Sequence, residues 1–167
     1  MKLKVVVLCF LFSMNLFSQD EVQKAEPDWD ESIAFHGGFG VQKSLFAELG
    51  ISKFSLMEVG YFPISKSIYT SVEFSPTLKS DEENHIYGLK VGCEFNAFIV
   101  SVALEAKYQT DFKDNDFVIT PKIGFGTFGV ITFYYGFNIS TGDRPFSRMG
   151  NHQFSIVCNL NKKILSM

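Results

Sequence analysis

The residues best suited by type to do chemistry are seven charged ones: Glu48, Glu73, Lys90, Glu94, Glu105, Lys107 and Lys122. Their spacing shows where they point. From Phe98 to Tyr108 the chain changes character at every second residue: Phe98, Val100, Val102, Leu104, Ala106 and Tyr108 on one face, Ser101, Glu105 and Lys107 on the other. Side chains alternate across a strand, so this is a strand with one apolar and one charged side. All seven charges fall opposite an apolar face in this way, with Ser, Thr, Gly and Asn between them. Four acids and three bases enclosed together must pair, since an unpartnered buried charge costs several kcal/mol. The chemistry expected of them is a salt-bridged network.

Catalysis would need a nucleophile, a base and an orienting acid close together. His85 and His152 begin strands at a loop end, with Ser155, Asp143 and Glu83 as conceivable neighbours; the plainer reading is polar residues at a wet rim. His36, on the charged side of the first strand, is expected to partner an interior Glu. Asp111, Asp114 and Asp116 lack the spacing and glycine of an EF-hand. Gly37-Gly38-Phe39-Gly40 precedes no helix, so it is no phosphate loop. No Cys and His cluster has metal-ligand spacing. The expectation is a non-enzyme without cofactor or metal.

The elements that position these groups are strands. A chain of 167 residues with 16% aromatics, 19 Phe and 13 Gly suits one all-β domain with many turns. Alternation marks strands over 33–41, 45–52, 68–75, 87–95, 98–108, 117–126, 129–139 and 153–161. Gln42-Lys43, Asn96 and Thr127 read as tight turns, and 79–84, 110–116 and 140–151 as polar loops. Residues 53–67, with Gly60 and Pro63, read as a long irregular connection, although Met57, Val59 and Tyr61 could form a further strand. The strand count is therefore eight, with ten as the alternative.

Residues 1–18 read as a secretory signal: Lys2 and Lys4, an apolar core from Val5 to Phe12, then Leu16-Phe17-Ser18 before Gln19. Its removal takes the net charge from −3 to −5, which disfavours nucleic acid as a partner. Residues 19–32 read as a flexible acidic leader, with Trp29 as an anchor where membrane meets water. The barrel then occupies 33–167. Cys93 and Cys158 fall on apolar faces and are expected to stay free thiols.

A soluble eight-stranded barrel packs apolar side chains inside and sends charges outward. Its interior has little room, while the apolar faces here are crowded with Phe, Tyr, Ile and Leu. The membrane assignment puts the charges inside. A charge on the lipid face near the midplane would cost roughly 2–4 kcal/mol, and from 87 to 139 the apolar faces carry none. Phe95, Phe98, Tyr108, Phe117, Tyr135 and Phe154 lie toward strand ends, where aromatic girdles belong. With its signal, short turns against longer loops and charged interior, the chain resembles the small eight-stranded outer-membrane barrels of the outer-membrane protein A and X type over 33–161. It departs from them in continuing past Leu160 through Lys162 and Lys163 to Met167, where such proteins close on an aromatic residue.

The expectation is thus an antiparallel up-and-down transmembrane β-barrel in the outer membrane, structural or acting in surface interaction, and no general pore. The resemblance implies outer-membrane lipid and the barrel assembly machinery as partners, and a monomer. Two alternatives stand beside it: a soluble periplasmic or secreted barrel holding a small apolar ligand, and an outer-leaflet lipid-modifying enzyme.

Overall fold

In the structure, a computed structural model, residues 29–59, 62–77, 84–127, 129–142, 146–147 and 149–161 are described. They form an all-β, closed, eight-stranded antiparallel up-and-down barrel. The strands are β1 (Asp30–Val59), β2 (Phe62–Ser75), β3 (Ile86–Ala97), β4 (Val100–Thr110), β5 (Asn115–Thr127), β6 (Ile131–Phe137), β7 (Ile139–Ser140) and β8 (Met149–Leu160). β1 pairs with both β2 and β8, and the β4–β5 ladder completes the ring.

Two irregularities explain the count. β1 reverses at Lys43, whose φ of 67° is left-handed, and its two arms lie side by side: Gly38 lies against Glu48 and Gly40 against Phe46. β1 thus supplies two staves. β6 and β7 together make one, and Pro121 explains their separation. Proline has no N–H to give a ladder, and the pairing of β5 is interrupted there, with Lys122 opposite Gly136 on one side and Ile119 opposite Ile139 on the other. On the β8 side of this stave the register continues past Phe137 opposite His152, the Asn138 N–H donating to the Asn151 carbonyl.

Several expectations are corrected. Over 53–59 and 62–67 the chain is not an irregular connection: the ladder runs without interruption from Ala47 opposite Phe74 to Val59 opposite Phe62. The small side chains of Ser55, Ser65 and Ser67 are buried on the interior side there. The β3–β4 turn falls at Phe98-Ile99 rather than Asn96, with Phe98 at φ 58°, and Asn96 points inward, 1% exposed. The β5–β6 turn passes through Gly129 at φ 76°, a conformation glycine adopts without steric cost. The final strand starts at Met149, shortening the third loop, and β1 takes in Asp30 to Ser32 of the expected leader. The expected signal and the chain beyond Asn161 lie outside the described residues, as does most of the 79–84 loop.

Alternation places the two faces as different solvents would. Ile33, Leu49, Ile68 and Phe125 are 60–80% exposed, roughly as free side chains are, on the outer wall. Phe35, Phe39, Leu89, Leu104, Ile123, Phe133 and Phe154 join them there. The interior holds a few apolar side chains, Ala34, Phe46, Phe54, Val118 and Val157 among them, and is otherwise polar.

Candidate functional site: the charged interior

Even-numbered residues of β1 and β3 and odd-numbered residues of β2 and β4 face inward, so charges far apart in the chain converge. Glu48, Glu73, Lys90, Glu94, Glu105, Lys107 and Lys122 are all buried in the interior. Lys90 is the hub. Its Nζ lies 2.7 Å from Glu48 Oε2, 2.5 Å from Glu73 Oε2 and 3.6 Å from Glu105 Oε1. Lys107 donates to Glu73 at 3.2 Å, and Lys122 donates to Glu105 Oε2 at 2.6 Å. The shortest of these, from Lys90 and Lys122, are strong charge-assisted bonds, and together the contacts offset the heavy cost of burying ions.

Neutral side chains complete this layer. Gln42 and Gln109 donate to Glu73 Oε1 at 3.1 and 3.3 Å. The Tyr69 hydroxyl donates to Glu105 Oε2 at 2.8 Å. Asn138, between β6 and β7, donates to Gln42 Oε1 at 2.8 Å. The Phe46 ring lies beneath two of the ammonium groups, 4.8 Å from Lys90 Nζ and 5.9 Å from Lys107 Nζ, within reach of a cation–π attraction.

A second layer, toward the end where β1 begins and β8 ends, is built on Glu94. Its carboxylate accepts from Ser67 Oγ and from Asn159 Nδ2, both at 3.0 Å. Asn159 Oδ1 lies 2.8 Å from His36 Nδ1, so His36 reaches Glu94 through Asn159 rather than directly. The His36 ring stacks on Tyr69 at 4.0 Å between centroids, and Tyr69 links the two layers. Gly92 makes room for it: a Cβ at that position would fall 2.5 Å from the Tyr69 hydroxyl.

Tyr69, Asn159 and Gln42 complete the network without carrying charge. Tyr69 and Asn159 lie on the polar side of their strands by parity alone, but parity does not say which of many polar residues share a level. Gln42 reads from sequence as a turn residue, and only the position of the reversal turns it inward.

The other candidates are dispersed. His85 and His152 are exposed at the rim. His85 Nδ1 accepts from the Thr77 N–H at 3.1 Å, and His152 Nδ1 lies 2.7 Å from the Tyr135 hydroxyl. Ser155 points inward while His152 points outward. Asp143 and Glu83 lie outside the described residues. The three loop aspartates do not converge: Asp111 Oδ1 accepts from the Asp114 N–H at 2.8 Å and the Lys113 N–H at 3.0 Å, whereas Asp116 turns inward to Ser140 Oγ. These backbone donors hold the Asp111 carboxyl below the usual carboxylate range. Cys93 and Cys158 are free thiols on the outer wall.

No known family, curated protein or solved structure matches this chain. What it can do must therefore be read from its own geometry. The buried groups cross-link the interior of the barrel and hold each other's charge.

Proposed function

We propose that the chain is an integral outer-membrane β-barrel with a structural role, or a role in surface interaction through its loops, and not a general pore. The observation that carries this reading is the inverted distribution of polarity. Seven charged side chains are buried inside, while the outer wall carries exposed Phe, Ile, Leu and Val around its circumference. Soluble monomers rarely expose contiguous apolar patches beyond a few hundred Å², whereas hydrocarbon is the natural surrounding of such a wall. The ion pairs that cross the interior between β1, β2, β3, β4 and β5 support the absence of a general pore. Lipid is accordingly the partner of the wall, and assembly machinery the partner during biogenesis. A closed ring has no free edge with which to recruit a second copy, in keeping with a monomer.

The soluble, ligand-binding alternative requires an apolar cavity with Glu105 and Lys107 in water. Both side chains are instead 0% exposed. The enzyme alternative requires His85 or His152 beside a serine and an acid; their ring nitrogens here meet the Thr77 N–H and the Tyr135 hydroxyl, and their rings lie against Phe74 and Phe137.

Fractionation with detergent extraction, followed by gels of boiled and unboiled samples, tests the proposal. A heat-modifiable band in the outer-membrane fraction is expected. A protein released with the soluble periplasm would overturn it.

A further inference from the structure

Near the end of the barrel where β1 begins, the outer wall carries a groove of about 650 Å³ whose apolar lining includes Ile33, Ile51, Ile68 and Val91, with Lys53 and Glu31 also lining it. Lys53 Nζ lies 2.7 Å from Glu31 Oε2, and both side chains are about half exposed or more, at 61% and 49%. Lys66 is the diagonal neighbour of Lys53, since Lys53 stands opposite Ile68 and Lys66 opposite Ser55 on the β1–β2 ladder. Its ammonium sits 3.9 Å from the centre of the Trp29 ring. Among the described residues, the other lysine on the outward face of a strand is Lys43, at the opposite rim.

We propose that this groove binds a phospholipid whose headgroup carries a phosphate and a primary ammonium. The charges at the groove match that headgroup: Lys53 and Lys66 face the phosphate, and Glu31 accepts from the ammonium. The acyl chain lies along Ile33, Ile51 and Ile68, where only apolar surface is covered. Glu31 already accepts from Lys53; a fatty acid would offer it no second donor, and a sterol would engage none of the three charges. Trp29 holds its ring at the level of the headgroup, the position favoured by an amphipathic indole. The site rests on the membrane reading above, because it places the headgroup at one interface of the bilayer.

Trp29 is the single tryptophan of the chain and stands beside the site, so its fluorescence reports occupancy. The purified protein in detergent micelles is titrated with a phosphoethanolamine lipid carrying dibrominated acyl chains, which quench tryptophan on contact. Saturable quenching is expected. A Lys near a charged surface contributes about 1 kcal/mol, so Lys53→Gln should raise the half-saturating concentration about fivefold. It should do so for phosphoethanolamine and phosphoglycerol lipids alike. Glu31→Gln should weaken only the phosphoethanolamine lipid. Both substitutions are on the surface and leave the fold intact. Quenching that rises linearly with lipid, or that is the same in wild type and both variants, overturns the site. Insertion into vesicles is followed separately by heat-modifiability. A protein that inserts but shows no saturable quenching refutes the groove alone, and one that does not insert refutes the membrane reading with it.

Discussion

Glu48 stands directly opposite Glu73 across the β1–β2 ladder, two carboxylates in the position where like charges repel most. The next ladder but one repeats the arrangement with the opposite sign, Lys90 facing Lys107. Neither pair is tolerable alone. Relief comes sideways, from Lys90 reaching both carboxylates and Lys107 reaching Glu73. Four strands are thereby tied at one level of the barrel, and removing any member leaves a like-charge pair exposed to its own repulsion.

Lys90→Met should therefore be severe. Deleting one partner of a buried ion network costs about 3–5 kcal/mol, and Lys90 serves three carboxylates. The urea midpoint of the refolded protein, followed by the unboiled gel shift, should fall accordingly. Adding Glu48→Gln should recover part of the loss. An unchanged midpoint would mean that Lys90 contributes nothing net.

Leu104→Arg tests the surroundings of the wall. Leu104 is 52% exposed, midway along β4. In a bilayer the substitution should cost about 2–4 kcal/mol, whereas an exposed surface site in water would change by about 0.5 kcal/mol or less. Folding free energies measured in vesicles separate the two, and a neutral result would contradict the membrane reading.

The loop between β4 and β5 should be sensitive to acid. Because backbone N–H donors from Asp114 and then Lys113 favour the ionised form, the folded Asp111 carboxyl titrates below its unfolded value. Its stabilisation of the turn is complete above the ordinary aspartate range, near pKa 3.9, and is lost as pH falls through the lower folded value. The amide resonances of Lys113 and Asp114 should shift with a midpoint below that ordinary value. A midpoint at or above it would show that these bonds do not favour the carboxylate.

Gly92→Ala should displace the Tyr69 ring and weaken its bond to Glu105, with an overpacking cost of about 1–3 kcal/mol. In a Tyr69→Ala background the same change should be nearly neutral. A double-mutant cycle on urea stability reads the coupling. Independent, additive effects would exclude the contact as the cause.

Much of the fold was legible because inside and outside differ so sharply in polarity. Period-two alternation identified the two faces for most strands and the seven charges Glu48, Glu73, Lys90, Glu94, Glu105, Lys107 and Lys122, though not the inward turn of Asp116. It failed where the signal is not hydrophobic contrast. Residues 53–67 read as loop because Gly60, Pro63 and several Ser and Lys residues break up the apolar ones, yet backbone pairing extends the β1–β2 hairpin over 53–59 and 62–67. Turn positions slipped because Phe98 adopts a left-handed conformation unusual for a bulky residue. Pairing between particular charges was beyond reach, since register, not sequence distance, brings Lys90 of β3 to Glu48 of β1.

The β1–β8 ladder, running from Phe35 opposite Leu160 to Lys43 opposite Met149, joins the first strand to the last. A growing chain cannot seal this seam until its final stave arrives. Until then two backbone edges stand open, with Asn159 absent from both Glu94 and His36. Closure is thus a late, all-or-none event, and a chain shortened before β8 would be a curled sheet inviting another strand.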